Sequence, residues 1–243
     1  MYLISGVYWD KGGRANNQDS LMLEQVRTRR GRVVLAAVCD GIGGLAKGEV
    51  ASGYACEKLK ECFYEELLPI LRRNKSKKRI ERCICRCIYH INEGLCKYAD
   101  SAKINLGTTI SVLLIWKRRY LIVHLGDSRI YSIKKKKIIQ ITKDHRRGPN
   151  ILTKCLGSFD YQMPDICNGK IKKGMGFLLC SDGFYHFLEK ALLMQVLNPA
   201  EIEGGQAIQK RLKKLALYAK DSGESDNITA VYLICKKKGG AWK

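Results

Sequence analysis

The sequence predicts an α+β fold built on largely antiparallel sheets, and three observations carry that expectation. Strand patterns fall into two groups, helical periodicity lies between and after them, and the links between successive strands of the second group are too short for parallel pairing. The first strands are "YLISGVYW" and "SLMLEQVRT", the latter joined by a turn-like "RRG" to "RVVLAAVCD". From Ala46 to about Leu71 the period becomes helical, with Ala51, Ala55, Leu59, Cys62 and Leu67 near one face. After the basic "RRNKSKKR" a second helix spaces Ile80, Ile84, Cys87, Ile91, Leu95 and Tyr98 by three and four. Its other face carries Arg82, Arg86 and Glu93, which makes it an amphipathic helix lying on an apolar layer. Three or four strands follow, in "TTISVLLIW", "YLIVHLGD", "RIYSIK" and "KIIQIT". Residues 143–165 show no clean period. A strand "GFLLCSD", a helix after Leu188, a break at Asn198-Pro199, a helix from about Gln206 to Lys220 and a last strand "NITAVYLIC" complete the pattern. No internal repeat or long linker appears, so residues 1–243 read as one domain with a short basic tail at 236–243.

The charge is unusual. Forty-four Lys and Arg stand against 23 Asp and Glu, a formal +21, mostly in short runs such as Arg72-Arg73, Lys77-Lys78-Arg79, Lys117-Arg118-Arg119 and Lys134 to Lys137. Such a field favours acidic or phosphorylated partners, nucleic acid or an anionic membrane surface. No stretch approaches the roughly 18 apolar residues of a membrane span. "MYLISGVYWD" lacks the basic and apolar regions of a secretory signal, so the 11 cysteines read as reduced thiols of a cytoplasmic protein. "CICRC" does not have zinc-site spacing; its cysteines read as small apolar packing groups.

With acid so scarce, the placement of aspartates carries information. Asp40, Asp127 and Asp182 each end an apolar strand and precede Gly or Ser, Asp226 begins the final strand, and Asp19 precedes an early one. Alternation puts Asp40 on the face of Val34, Ala36 and Val38, Asp182 with Leu178 and Cys180, and Asp127 with Val123 and Leu125. One such aspartate is an ordinary turn former. Several on inward faces repel and need neutralising, which a divalent cation achieves; oxygen-only donors select Mg²⁺ or Mn²⁺ over zinc. Glycines at 41, 43 and 44 allow a tight turn that brings a carbonyl to the same ion. Cys39 and Cys180 flank this centre as packing groups, and His124 reads as a structural strand residue.

In order along the chain, "RANNQDS", "CDGIGG", "GTTISVLLI", "HLGDSRIY", "ITKDH", "LLCSDG" and "SDNITAVYL" resemble the motif series of the type 2C metal-dependent serine/threonine protein phosphatases (the PPM family), most of all its bacterial branch. The resemblance runs from about Ser5 to Cys235. It implies a four-layer αββα sandwich: two antiparallel sheets flanked by helix pairs. It implies hydrolysis of phosphoserine and phosphothreonine monoesters on proteins by a metal-bridged hydroxide. By the same resemblance Arg14 holds the substrate phosphate, Asp40 bridges two Mn²⁺ or Mg²⁺ ions with the Gly41 carbonyl beside it, and Asp182 and Asp226 ligate the second ion. Asp19 positions the attacking water, Asn227 follows the last ligand, and Asp127 serves a third, weaker ion. The implied partners are phosphorylated Ser/Thr proteins and a cognate Ser/Thr kinase, with the chain acting as a monomer.

Three departures qualify the resemblance. Ile42 stands where many eukaryotic members have a histidine that protonates the leaving alkoxide, a task isoleucine cannot perform. "HRRGPNILTKCLG" joins two motifs in a few residues where the family has an extended flap, which leaves Arg146 and Arg147 to offer positive charge beside the cleft. His186 occupies the place of a third-metal aspartate, either as a softer ligand favouring Mn²⁺ or as a helix-start histidine without a metal role. Two other classes compete with the active phosphatase. One is a catalytically weak or inactive regulatory protein of the same fold that binds acidic or phosphorylated partners. The other is a nucleic-acid or membrane-surface binder, for which there is charge but no specific nucleic-acid motif.

Overall fold

A computed structural model describes residues 2–42, 47–148 and 151–236. The strands are β1 (Tyr2–Asp10), β2 (Asp19–Thr28), β3 (Gly31–Asp40), β4 (Ile110–Trp116), β5 (Arg119–Leu125), β6 (Arg129–Lys134), β7 (Lys137–Gln140), β8 (Arg146–Arg147), β9 (Ile151–Leu152), β10 (Asp165–Lys170), β11 (Gly176–Cys180) and β12 (Ile228–Lys236). The helices are α1 (Gly48–Cys62), α2 (Leu68–Arg72), α3 (Lys77–Ala102), α4 (Asp182–Tyr185), α5 (Lys190–Val196) and α6 (Gly205–Asp221). One five-stranded sheet runs β1-β12-β11-β6-β7 and the other β10-β5-β4-β3-β2. Every pairing is antiparallel, as the short connections require.

Burial divides into three layers of side chains. Val34, Ala36 and Val38 of β3 meet Leu179, Val231 and Leu233 between the sheets. Leu35, Ala37 and Cys39 point the other way, under Ala51, Ala55 and Leu59 of α1 and Ile84, Ile88 and Ile91 of α3. Leu178, Tyr232 and Ile234 face Ile208, Leu212 and Leu215 of α6. The result is the expected αββα sandwich, in which β3, β4, β11 and β12 are buried on both faces and therefore read as near-continuous apolar runs.

Several details differ from the sequence expectation. Between α1 and α2 the helix widens into a π turn at Phe63–Leu67, which accommodates Pro69 and its missing N–H without ending the helical path. The aperiodic stretch holds the small β8–β9 hairpin and is followed by the edge strand β10, paired to β5. Strand β11 stops at Cys180 and β5 at Leu125, so alternation does not extend to Asp182 or Asp127. Leu178 and Cys180, like Val123 and Leu125, face helices; the turn at Ser181 and the left-handed Gly126 (φ 110°) re-aim the two aspartates towards Asp40. His186 lies at the C-terminal end of α4, which corrects its reading as a helix-start residue. Gly43 and Gly44, Ala46, and the tail beyond Lys236 lie outside the described residues.

Candidate active site

Five aspartates from five separate chain segments converge at one end of the sandwich. Asp19 opens β2 directly opposite Asp40 at the end of β3. The main chain at Asp40 is clamped by the "GTT" motif: its N–H donates to Thr109 Oγ1 (3.0 Å), and its carbonyl accepts from Thr109 N (2.8 Å) and Thr108 Oγ1 (2.9 Å). Gly41 is required by space, since a Cβ there would lie 2.5 Å from the Gly48 carbonyl oxygen and 2.7 Å from that of Gln18.

Electrostatics sets this cluster apart. Burial, then the charges of Asp19, Asp182, Asp127 and Asp226, hold the Asp40 carboxyl well above the usual carboxylate range. Although the residue keeps some accessible surface, its carboxyl lies deep among these neighbours. Asp19 is only 2% exposed, and burial pushes it up to about 7. The hydroxyls of Thr229 and Ser181 temper that rise, yet neither Asp19 oxygen has a partner in hydrogen-bonding geometry. Burial and Asp182 raise Asp127 to about 6, and burial and Asp226 raise Asp182. A group of mostly buried carboxylates, with both Asp19 oxygens orphaned and the arginines Arg14 and Arg146 reaching only Asp226 and Asp127, fits a hard divalent ion. Among the described residues no three His, Cys, Asp or Glu side chains already form a group able to hold one.

Arg14 and Asp226 hold each other: Nε donates to Oδ1 (3.1 Å) and Nη2 to Oδ2 (2.8 Å), a bidentate fork at the cleft rim. The loop carrying Arg14 is pinned by buried Asn227. Its Oδ1 accepts from Gln18 N (2.8 Å), and its Nδ2 donates to the carbonyls of Lys11 (2.8 Å) and Asn16 (3.0 Å). Trp9 adds an indole hydrogen bond to the Asp19 carbonyl (2.9 Å). Asn227→Ala leaves one N–H and two carbonyls without these partners. We expect a loss of about 2–4 kcal/mol in denaturant unfolding and a weaker hold on substrate phosphate, read as a rise in KM.

Two sets of residues escaped sequence reasoning. Glu224, in the polar loop before Asp226, accepts from Ser225 N and Asp226 N (2.8 Å each) with Oε1, while its Oε2 is buried without a hydrogen bond. No periodicity marks it; the signal was only its spacing of two from Asp226. Asp144 grips Arg129 (Nη2 to Oδ2, 2.6 Å), whose guanidinium stacks 3.7 Å over the Tyr185 ring, and Tyr185 Oη donates to the Asp127 carbonyl (3.0 Å). The "GDSR" and "ITKDH" motifs are thus one brace that fixes the Asp127 turn.

Other candidates lie at the edge. Arg146 Nη1 is 3.8 Å from Asp127 Oδ2, so this arginine does reach the cleft, whereas Arg147 is exposed on the hairpin. The His186 side chain is 70% exposed with Nδ1 3.4 Å from Glu224 Oε2, outside the aspartate cluster. Ile42 is half-buried, its N–H donating to the Gly107 carbonyl (2.9 Å). His124 is structural: buried, stacked on His145 and bonded to Ser111 Oγ, with burial lowering it to about 4. Cys39 Sγ lies 3.8 Å from Cys56 Sγ under α1, and all 11 cysteines are free thiols.

A two-sheet sandwich with carboxylates converging at one end of its strands is the build of a metal-dependent hydrolase. Comparison with known proteins agrees. The profile described as Protein phosphatase 2C matches residues 12–216. Protein phosphatase PhpP of Streptococcus pneumoniae is 25% identical over 236 residues, covering 89% of this chain and 90% of that protein. The crystal structure of serine/threonine phosphatase Stp1 from Staphylococcus aureus superposes with a TM-score of 0.81 at 26% identity, covering 98% of this chain and 96% of that one. The catalytic domain of serine/threonine protein phosphatase PstP, solved with two manganese ions, superposes with a TM-score of 0.75 at 26% identity, covering 97% and 99%. The chain belongs to the protein phosphatase 2C family, in its bacterial branch, and is a metal-dependent hydrolase of phosphoester bonds on serine and threonine of proteins.

Proposed function

We propose that hydrolysis takes place in the cleft ringed by Asp19, Asp40, Asp127, Asp182 and Asp226. The observation that carries this reading is the buried, partnerless carboxylate of Asp19 set among four like charges. Asp40 with the Gly41 carbonyl, and Asp182 with Asp226, are the proposed ligands of two ions, Mn²⁺ or Mg²⁺, as two manganese ions occupy PstP. Bound there, the ions supply the positive charge that acidifies water and meets the phosphoryl oxygens. Asp19 orients the attacking water and accepts its proton, a role open to a buried carboxylate with both oxygens free of other partners. Arg14 exchanges Asp226 for the substrate phosphate, to which its planar fork is equally matched. Ile42 has no proton to give, so the leaving alkoxide is protonated from solvent.

A third ion is proposed at Asp127. His186 is proposed as a ligand only at the rim, its Nδ1 3.4 Å from Glu224 Oε2. An unchanged Mn²⁺ and Mg²⁺ dependence in His186→Ala assigns it to the helix end alone. The short β8–β9 hairpin is proposed to stand for the family's longer flap, with Arg146 lending charge beside Asp127. Substrates are phosphorylated Ser/Thr proteins, and a cognate kinase is the proposed source of them. The chain is proposed to act as a monomer, one catalytic domain over 1–243 with a basic tail at 236–243. No helix of the described residues is long and apolar enough to cross a membrane, and the free thiols support a reducing, cytoplasmic setting.

The reading of an inactive regulatory protein is not favoured, because Arg14 and all five aspartates are retained and assembled. The test is phosphate release from p-nitrophenyl phosphate and from a phosphothreonine peptide. Turnover requires Mn²⁺ or Mg²⁺, stops with chelator, and is absent in Asp40→Ala; turnover in chelator overturns the proposal.

A further inference from the structure

The active cleft does not account for where the cations lie. On α3, Arg79, Arg82 and Arg86 recur at intervals of three and four and so share one helix face. Together with Arg73 and Lys75 from the turn between α2 and α3, they line a cleft of about 750 Å³ in which, among the described residues, Glu66 is the only acidic one. Glu66 is engaged by Arg86. Among the described residues, the side chains of Arg73, Lys75, Arg79 and Arg82 have no carboxylate partner. Pro69, Ile70 and Cys83 give the cleft an apolar wall.

This cleft sits at the far end of the sandwich from the aspartates. Lys117, next to Trp116, donates to Asn74 Oδ1 of the α2–α3 turn. Trp116 pairs with Val33, seven residues along β3 from Asp40. At about 3.3 Å per residue the separation is roughly 23 Å. Lys117, Arg118, Arg119 and Lys170 line a neighbouring cleft and extend the basic surface around that corner.

We propose that the Arg73–Arg86 cleft is a docking site for an acidic, extended segment of a phosphoprotein substrate, remote from the phosphosite being hydrolysed. This rests on the phosphatase reading above. Converging guanidiniums match carboxylates or phosphates in forks, and the apolar wall takes an aliphatic side chain between them. A protein segment suits this site better than nucleic acid, because no aromatic residue lines it for a base to stack on. It suits the site better than a membrane, because the surface is concave.

The test uses the full chain and Arg79→Glu/Arg82→Glu, with Lys213→Glu/Lys214→Glu on α6 as a variant of equal charge change. A fluorescein-labelled peptide of Glu, Asp and Leu, without a phosphorylatable residue, is titrated by anisotropy. A phosphothreonine peptide is then assayed with and without the same acidic segment, joined through a Gly/Ser linker that spans the separation. The expected result is binding that weakens about tenfold or more in the α3 variant and little in the α6 variant. The acidic segment is expected to lower KM about tenfold without changing kcat, in wild type but not in the α3 variant. p-Nitrophenyl phosphate turnover is expected to be the same in all three proteins. Equal binding by the three, or a KM gain that survives in the α3 variant, overturns the proposal. So does binding of single-stranded RNA, with loss in the α3 variant, when the acidic peptide does not bind. Absence of p-nitrophenyl phosphate turnover in the wild type counts against the phosphatase reading instead, and leaves the anisotropy result to decide the docking site.

Discussion

Asp40→Asn abolishes metal-dependent phosphate release and, in the metal-free protein, raises the melting temperature. The two effects share one cause. Asp40 is surrounded by Asp19, Asp182, Asp127 and Asp226, and burial removes the water that would screen them. In the metal-free chain this favours the neutral form of the Asp40 carboxyl, and Asp182 lies close enough to accept a hydrogen bond from it. Asparagine keeps that donor and is neutral without taking up a proton on folding, while the clamp from Thr108 and Thr109 acts on the main chain and is untouched. A gain of about 1–2 kcal/mol is expected, or about 3–6 °C for a chain of this size. Catalysis would lose a proposed metal ligand, and with it several kcal/mol of transition-state charge stabilisation, so turnover is expected to fall by about three orders of magnitude. Scanning calorimetry in chelator and phosphate release in Mn²⁺ read the two arms. A destabilised Asp40→Asn would make Asp40 a structural anchor.

Stability of the metal-free protein falls as pH rises from about 5.5 to 8, opposite to what ordinary salt-bridged carboxylates produce. Asp127 and Asp19 have folded values of about 6 and 7, above the ordinary 3.8. Below 3.8 both folded and unfolded chains carry these protons, and stability is unaffected. Above it the unfolded chain releases protons that the folded chain retains, so stability declines until pH has passed the folded values. Each pKa unit is worth about 1.4 kcal/mol, so the two groups together lose on the order of several kcal/mol by pH 8. Divalent ions replace the protons. The rise in melting temperature on adding saturating Mn²⁺ is therefore expected to be small at pH 5.5 and largest at pH 8. A metal-free melting temperature that is level or rising across this window contradicts the assignment. The carboxylates held low by partners, Asp10 with Lys220 and Asp165 with Lys154, have finished titrating before it begins.

How much of this was legible in the sequence depends on whether the cause is local. Strands β3, β4, β11 and β12 were readable because burial on both faces demands unbroken apolar runs, and α3 because one face meets the sheet. Edge strand β10 was not, since "DICNGK" is mostly exposed and owes its conformation to pairing with β5. The widened turn before Pro69 has no periodic signature. The aspartates stood out because acid is scarce, but their directions did not follow from alternation, which ends at Leu125 and Cys180 while the decisive turns come one residue later. Arg14 gripping Asp226, Asn227 pinning the Arg14 loop, and Asp144 bracing Arg129 against Tyr185 join residues far apart in the chain. Only the assembled sandwich brings them together.

Titration calorimetry of Mn²⁺ into the metal-free protein near pH 6.5, in buffers of different ionisation enthalpy, tests the proposed metal centre most directly. Two ions are expected to bind per chain, the first of them displacing protons because Asp19 and Asp127 are still partly protonated there, and Asp40→Asn is expected to lose that binding. Mn²⁺ uptake without proton release, or with undiminished stoichiometry and affinity in Asp40→Asn, would contradict a centre built on these carboxylates.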